Sequence, residues 1–332
     1  MARLPLAPAP DGAAAADPAE LALSVLTTVL PDATRQARPA IDRILGGLRV
    51  SPWPEVAWRF SRLTASGNPV EFSFSTADPA LRYTAEVAGP EIDAPSRLAC
   101  AQVLLAELSD GQRVPDQLLA DVAALQRAGQ PQWGAWIGGR HDGTHSRYKL
   151  YADVPSGVDT TGFLAGHLGY PHPLRHRGSR LEGVGHEIQT GLTELYFRLD
   201  GLDVADTGVL LRDCGLGERQ RDLLTLMQHV YQRPMRPHLP AHPFGVSIAL
   251  APGHRVVAAS VFAYAIDVFG DDAATRRSLL RAAPQLNWDA AAYRALSAPL
   301  TETHRAPTHH SVIAFTIPRR APGALTVGMA PP

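Results

Sequence analysis

Basic and phenolic side chains recur at every second position in three short segments of this sequence. In the first segment, Arg82, Thr84 and Glu86 alternate with apolar or aromatic residues. The other two segments have the same spacing and contribute Arg147, Lys149, Tyr151 and Asp153, and Glu194, Tyr196 and Arg198. Successive side chains of a β-strand point to opposite faces, so each set lies on one face of its predicted strand. Arginine binds phosphate oxygens through its planar fork and lysine binds them as a point charge, so these faces suit a polyanion.

Two further segments carry polar or aromatic residues in the same alternation. Glu71, Ser73 and Ser75 alternate with three apolar residues. Residues 255–266 offer one possible set, which consists of Ser260, Phe262 and Tyr264. If the strands enclose a cavity, all of these sets line it together. If they form a two-layer sheet with one wet face, the same side chains are solvated, and the alternation alone allows both arrangements.

The hydrophobic periodicity predicts two helices before each pair of strands. Predicted helices cover residues 19–30, 39–48, 96–108, 115–127, 161–168, 203–211, 218–231, 272–283 and 289–296. Predicted strands cover residues 70–74, 81–87, 132–137, 147–154, 183–188, 193–199, 244–250, 255–266, 310–317 and 325–329, with an additional hairpin arm at 58–63. Residues 138–146 are predicted as a polar loop. In the third repeat only 161–168 has a helical pattern, and a segment rich in Pro, His and Arg follows it.

This order predicts an α+β fold built from five ααββ repeats. Hairpin connections make each strand pair antiparallel, and a sheet of ten strands leaves unpaired edges unless it closes. Closure gives a ten-stranded antiparallel β-barrel that is surrounded by helices and wide enough to hold a ligand. An open α+β sheet or two smaller sheets are the alternatives. We predict a flexible N-terminal tail at residues 1–17 and a single barrel domain at residues 18–332.

Composition excludes several other classes of protein. Of the 332 residues, 45% are apolar, and the net charge of -1 provides no basic surplus for nucleic acid or an anionic membrane. No apolar run approaches the roughly 20 residues of a membrane helix. Cys100 and Cys214 cannot form a disulfide framework, which fits the cytoplasm. No metal site is predicted, because the pair Asp271-Asp272 fits a helix cap, and Pro240 prevents the helix that His238 and His242 need to bind zinc.

Three sequence motifs resemble those of one enzyme family. They are Gly67-Asn68-Pro69-Val70-Glu71-Phe72-Ser73, Leu81-Arg82-Tyr83-Thr84 and Lys149-Leu150-Tyr151. Together with the repeat order, they resemble the aromatic prenyltransferases of the dimethylallyltryptophan-synthase type, the ααββ-barrel or ABBA enzymes. The resemblance implies that Glu71 is the glutamate beside the acceptor ring and that Arg82, Lys149 and Tyr151 bind the donor. The family's Arg-x-Lys-x-Tyr pattern is replaced at 194–198 by Glu194, Tyr196 and Arg198, and it occurs one repeat earlier as Arg147, Lys149 and Tyr151.

The implied activity is transfer of a prenyl group, such as dimethylallyl, from an allylic diphosphate to an indole-type acceptor. That acceptor is tryptophan, an indole alkaloid or an aromatic residue of a peptide. The implied enzyme acts without Mg²⁺ or another cofactor, in the cytoplasm, as a monomer or weak dimer. The catalytic residue is Glu71, and the predicted donor-binding residues are Arg82, Arg147, Lys149, Tyr151, Tyr196, Arg198 and Tyr264. The alternatives are a phenol or naphthalene acceptor on the same fold, and a non-enzymatic barrel that carries an apolar ligand.

Overall fold

Ten strands form one closed barrel, in which every strand pairs antiparallel with both neighbours. The strands are β1 (Val70–Ser75), β2 (Leu81–Glu86), β3 (Ala135–His141), β4 (Ser146–Asp153), β5 (Arg180–Glu187), β6 (Thr193–Leu199), β7 (Phe244–Ala251), β8 (Arg255–Tyr264), β9 (His310–Pro318) and β10 (Ala324–Met329). The barrel closes between β1 and β10, where Phe72 pairs with Met329. The computed structural model describes residues 17–49, 61–168, 177–233, 235, 237, 239, 244–302 and 308–332. The closed-barrel prediction is therefore confirmed, whereas the predicted tail lies outside the described residues except for Asp17, which caps the first helix.

Helices precede the strand pairs, as the periodicity predicts. They are α1 (Pro18–Thr27), α2 (Pro31–Arg49), α3 (Ala94–Leu108), α4 (Asp116–Arg127), α5 (Thr161–Leu168), α6 (Val204–Asp213), α7 (Gln220–Tyr231), α8 (Ala265–Phe269), α9 (Asp272–Ala282) and α10 (Ala291–Leu296). In the third repeat the described residues contain α5, and the segment after it lies outside them. The last repeat has an additional short helix, α8. No helix in the described part of the chain is long and apolar enough to cross a membrane.

The hydrophobic core lies between the barrel and its helices. Val70 and Phe72 of β1 are fully buried on the outer face, and Ile41 and Leu45 of α2 are buried in the same core. These helix residues are four apart, so they share the stripe that packs on β2 and β3. Because the outer positions are apolar, the alternating polar positions face the lumen.

Four predicted boundaries were wrong. Helix α2 begins at Pro31 rather than near Pro39, because a proline in the first turn costs no hydrogen bond. Strand β8 ends at Tyr264, where α8 begins. Residues 61–63 are not a strand, and the rest of the predicted arm lies outside the described residues. Strand β3 continues through the predicted loop to His141.

The longer β3 has a steric explanation in its two adjacent glycines. A Cβ on Gly138 would lie 2.8 Å from Cε2 of Tyr151, and a Cβ on Gly139 would collide with the phenol of Tyr83. Each glycine therefore lets a ring from a neighbouring strand lie flat across β3, one inside the barrel and one outside. In the sequence, Gly138-Gly139 is typical of a turn. In the structure, the two glycines lie within a strand and allow close packing of the neighbouring rings.

Candidate active site

All eight predicted site residues belong to the alternating set that faces the lumen. Because neighbouring strands are antiparallel, all odd-numbered strands begin at one end of the barrel and finish at the other. We name the end where they begin the Glu71 end and the end where they finish the arginine end. Glu71 is the second residue of β1, and Arg198 and Tyr264 are at the ends of β6 and β8, so these three are at the Glu71 end. Arg82 and Arg147, near the starts of β2 and β4, are at the arginine end. Lys149, Tyr151 and Tyr196 lie between them.

Three arginines stand side by side on consecutive strands at the arginine end. Arg82 pairs with Arg140 across β2 and β3, and Arg140 pairs with Arg147 across β3 and β4. Like charges in directly opposite positions repel each other, so this row needs anionic partners. The Asp78 carboxylate provides one, with a 2.6 Å contact to Arg82 and another to Arg140, and Glu187 lies 3.7 Å from Arg147.

Electrostatics keeps this arginine row charged. Burial by itself raises the pKa of Asp78, but Arg82 and Arg140 bring the pKa of this carboxyl below its usual value. Burial and the charge of Arg140 lower the pKa of Arg82, and the Asp78 carboxylate opposes this shift. The Nε of Arg140 is buried and has no hydrogen-bond partner in the described structure. The row therefore retains one buried donor without a partner among the described residues.

Lys149 is held in a buried network beside the arginine row. Its Nζ contacts the carboxylate of Glu194 and donates to the Tyr196 hydroxyl at 2.8 Å. The Tyr196 hydroxyl donates to the same carboxylate at 2.6 Å, and Ser247 donates to it as well. Burial opposes both charges, yet the pair keeps the pKa of Lys149 above its ordinary value and the pKa of Glu194 below its own. Lys149 is therefore a cation whose charge is already balanced.

Aromatic rings line the middle of the lumen. The centroids of Tyr151 and Tyr196 are 6.0 Å apart, and those of Tyr196 and Phe262 are 6.2 Å apart. Nζ of Lys149 lies 4.8 Å from the Tyr151 centroid, within the range of a cation–π contact. The Phe262 ring lies across Gly245, where any Cβ would collide with it. These rings provide π-faces between the two ends of the barrel.

Glu71 is partly buried at the other end of the lumen. Its carboxylate lies against Gly328 of β10 and the Ser311 hydroxyl of β9, because a Cβ on Gly328 would collide with both. Burial raises the pKa of Glu71 to about 7. The neighbouring Ser311 hydroxyl opposes this rise and offsets part of it. A carboxyl with this pKa is close to half ionised at neutral pH.

Arg198 and Tyr264 are on the rim at the Glu71 end, away from the arginine row. The Nε of Arg198 donates to Glu182 at 2.8 Å, and its guanidinium carbon lies 6.0 Å from the Tyr264 centroid. Tyr264 is 43% exposed. A cavity of about 370 Å³ opens at the same end, lined in part by Glu86, Arg97 and Trp133. The structure brings Arg82, Arg147, Lys149, Tyr151 and Tyr196 together in the lumen and leaves Arg198 and Tyr264 at the rim. Donor binding stays a prediction for all seven residues.

Sequence reasoning missed several residues of this site. The sequence pattern places Arg140 in a loop because Gly138-Gly139 is typical of a turn. In the structure Arg140 is in β3, two residues after Gly138, so both residues face the lumen. Asp78 lies in the connection between β1 and β2, outside the alternating strand pattern. Nothing in the sequence indicates that Ser311 and Gly328 flank Glu71, because both contacts depend on the closure of the barrel. Within the described residues, no group of three or more His, Cys, Asp or Glu side chains could hold a metal ion.

Replacement of Glu71 should change how stability depends on pH. The pKa of about 7 exceeds the ordinary value of 4.5, so the folded protein binds this proton more tightly than the unfolded chain does. The free energy of unfolding should therefore fall as pH rises from 4.5 through 7, by at most about 3 kcal/mol. Glu71→Gln should remove this fall. Urea unfolding at pH 5 and pH 8 measures it, with the exposed Glu218→Gln as control; equal slopes in wild type and Glu71→Gln would contradict the assignment.

Solved structures of aromatic prenyltransferases share this architecture. The 6-dimethylallyltryptophan synthase from Micromonospora olivasterospora has a TM-score of 0.75 at 20% identity, with 96% of this chain and 98% of that chain covered. PriB, in a ternary complex with L-tryptophan and dimethylallyl thiolodiphosphate, has a TM-score of 0.72 at 18% identity, with 95% of each chain covered. The 5-dimethylallyltryptophan synthase from Streptomyces coelicolor has a TM-score of 0.72 at 15% identity, with coverages of 93% and 95%. No family model and no curated protein matches the sequence. The chain therefore has the ααββ-barrel fold of the dimethylallyltryptophan synthases over nearly its whole length.

Proposed function

We propose that this protein is an aromatic prenyltransferase that transfers a dimethylallyl or related group from an allylic diphosphate to an indole-type acceptor. One observation carries the proposal: a single lumen has an arginine row at one end, a partly buried carboxylate at the other end and aromatic rings between the two. Similarity to tryptophan-binding and donor-binding enzymes of the same fold supports it. An amino acid, an indole alkaloid and a peptide each present the same ring to Glu71.

The arginine row suits the diphosphate. When the C1–O bond of the donor breaks, its electron pair leaves with the diphosphate, and the developing charge is stabilised by donors already aimed at it. A pair of unit charges about 4 Å apart gains roughly 4 kcal/mol at an effective dielectric of about 20. Arg82, Arg140 and Arg147 share Asp78 and Glu187, so they retain positive charge for the leaving group. Lys149 adds to this field, but Glu194 balances most of its charge.

The rings suit the allyl cation. A cation near the faces of Tyr151, Tyr196 and Phe262 is attracted by their quadrupoles. Helices and the barrel wall surround this region, which limits capture of the cation by water. Attack by a ring carbon of the acceptor then forms the new C–C bond, and the same carbon loses its proton to restore aromaticity.

Glu71 suits the acceptor. When ionised, it accepts a hydrogen bond from the ring N–H of an indole and raises the nucleophilicity of the ring. A phenolic O–H would use the same carboxylate, so a phenol or naphthalene acceptor is the alternative on this site. We also propose that the enzyme works in the cytoplasm without a metal ion, because the arginine row provides the positive charge that a metal would otherwise supply.

The activity can be tested with dimethylallyl diphosphate and a panel of indoles, phenols, naphthalenes and tryptophan-containing peptides. We expect an added prenyl mass by mass spectrometry, in EDTA as in buffer. Because the ionised form of Glu71 is required, kcat should rise with pH through about 7. Glu71→Gln should lower kcat by about 100-fold, as for loss of a group that acts in the transition state. No product with any acceptor, together with no binding of the donor, would contradict the proposal; binding without product would indicate a carrier.

Donor binding should depend on Arg140 more than on Lys149. Loss of a charged hydrogen bond to phosphate corresponds to about 10- to 100-fold in Kd. Arg140→Ala should show this loss for inorganic diphosphate in calorimetry, and Lys149→Ala a smaller one, because Glu194 already neutralises Lys149. The control is Arg43→Ala, which removes an exposed arginine paired with Glu107. A larger loss for Lys149→Ala than for Arg140→Ala would assign the anion to Lys149 instead.

A further inference from the structure

A β-bulge interrupts the pairing of β9 and β10 beside Glu71. Val327 pairs with Ile313, but Met329 pairs with His310, so Ser311 and Val312 both stand opposite Gly328. Ile313, Phe315 and Ile317 are buried on the outer face, and a regular strand would then turn Ser311 outward as well. The extra residue resets the alternation, and Ser311 faces the lumen. Bulges commonly re-aim a side chain in this way.

His310, the residue before the bulge, is held in place by contacts on the outer side of the barrel. The Asp272 carboxylate, at the start of α9, accepts from the backbone N–H of His310 at 2.8 Å and lies 2.7 Å from its Nδ1. The same carboxylate accepts from the backbone N–H of His309 at 2.8 Å, and the Tyr293 hydroxyl lies 2.9 Å from Nε2 of His310. The side chains of His310 and Asp272 are 1% and 7% exposed. We name this cluster of Asp272, His310 and Tyr293 the strand anchor. It keeps the His310 side chain on the outer face of the barrel.

The contact made by the bulge is with Glu71. The Ser311 hydroxyl oxygen is buried, and beside Gly328 it lies next to this carboxylate. It has no aligned hydrogen-bond partner among the described residues, Glu71 included, so its proton is available. Gly328 provides the space, since a side chain there would displace both groups. The charged groups on neighbouring strands have other partners. Arg82 pairs with Asp78, and Glu86 pairs with Arg97. The His310 side chain faces outward and pairs with Asp272. Thr84 stands opposite Glu71 on β2, and Ser311 is the residue whose hydroxyl lies next to the carboxylate beside Gly328.

We infer that Ser311 is a positioning residue for Glu71, held by the bulge and the strand anchor so that its hydroxyl donates to the ionised carboxylate. One carboxylate oxygen is then oriented by Ser311, and the other is available to the N–H of the acceptor. The inference rests on the proposed function for its catalytic meaning, but the contact itself does not depend on that function. A donor to the charged form also keeps Glu71 ionised at a lower pH than burial alone would allow.

Carboxyl titration by NMR tests the contact directly. The full-length protein is labelled with ¹³C at glutamate side chains and titrated from pH 4 to pH 9, and Glu71 is assigned by its loss in Glu71→Gln. We expect Ser311→Ala to raise the titration midpoint of Glu71 by roughly one unit, since a charged hydrogen bond is lost. Ser311→Thr retains the hydroxyl and should restore the wild-type midpoint. Asp272→Asn should shift it in the same direction as Ser311→Ala, because the anchor is weakened.

Two outcomes separate this inference from the proposed function. A shifted midpoint in Ser311→Ala, with Thr restoring it, supports the positioning role even if no acceptor is prenylated. An unchanged midpoint in Ser311→Ala overturns the inference even if the wild type is an active prenyltransferase. Where activity is present, the pH profile of kcat should move with the midpoint while Kd for inorganic diphosphate stays unchanged. Should Asp272→Asn fail to fold, the Ser311 pair decides alone.

Discussion

Closure of the ten-stranded sheet is the constraint on which the rest of the structure depends. Once β1 pairs with β10, the side chains in the interior of the lumen are largely shielded from bulk water, and the charges there must be balanced within the wall. Asp78 and Glu187 do this for the arginine row, and Glu194 does it for Lys149. Closure also creates the environment that raises the pKa of Glu71. Closure of the barrel thus produces the arginine row, the ring-lined lumen and the shielded position of the Glu71 carboxylate.

The balance of charges has a consequence for how a donor enters. Asp78 occupies the space between Arg82 and Arg140, where a phosphate oxygen would bind both. In the proposed function, a diphosphate bound by both arginines would exchange with or displace this carboxylate. Lys149, in contrast, is enclosed by Glu194 and Tyr196, and its network also fixes the Tyr196 ring. The two cationic groups of the lumen therefore differ in environment, and in the proposed function the arginine row binds the leaving group while Lys149 holds the wall.

Much of the fold follows from local sequence pattern, because alternation and helical periodicity are local properties. The order of helices and strands, the antiparallel pairs and the inward set of Arg82, Lys149 and Tyr151 are all of this kind. Arg140 could not be predicted as a site residue because Gly138-Gly139 has the composition of a turn. In the structure these two glycines make room for the rings of Tyr151 and Tyr83. Ser311 could not be assigned at all, since its orientation depends on a bulge set by pairing with β10. The neutralisation of Lys149 likewise depends on which strands are neighbours across the barrel.

The central claim is that one lumen holds the donor anion at the arginine end and the acceptor at the Glu71 end. A crystal structure with dimethylallyl thiolodiphosphate and an indole acceptor tests it most directly. The account predicts diphosphate oxygens within hydrogen-bond distance of Arg82 and Arg140, the allyl group among Tyr151, Tyr196 and Phe262, and the ring N–H on Glu71. Diphosphate bound at the rim by Arg198, or outside the barrel, would contradict it.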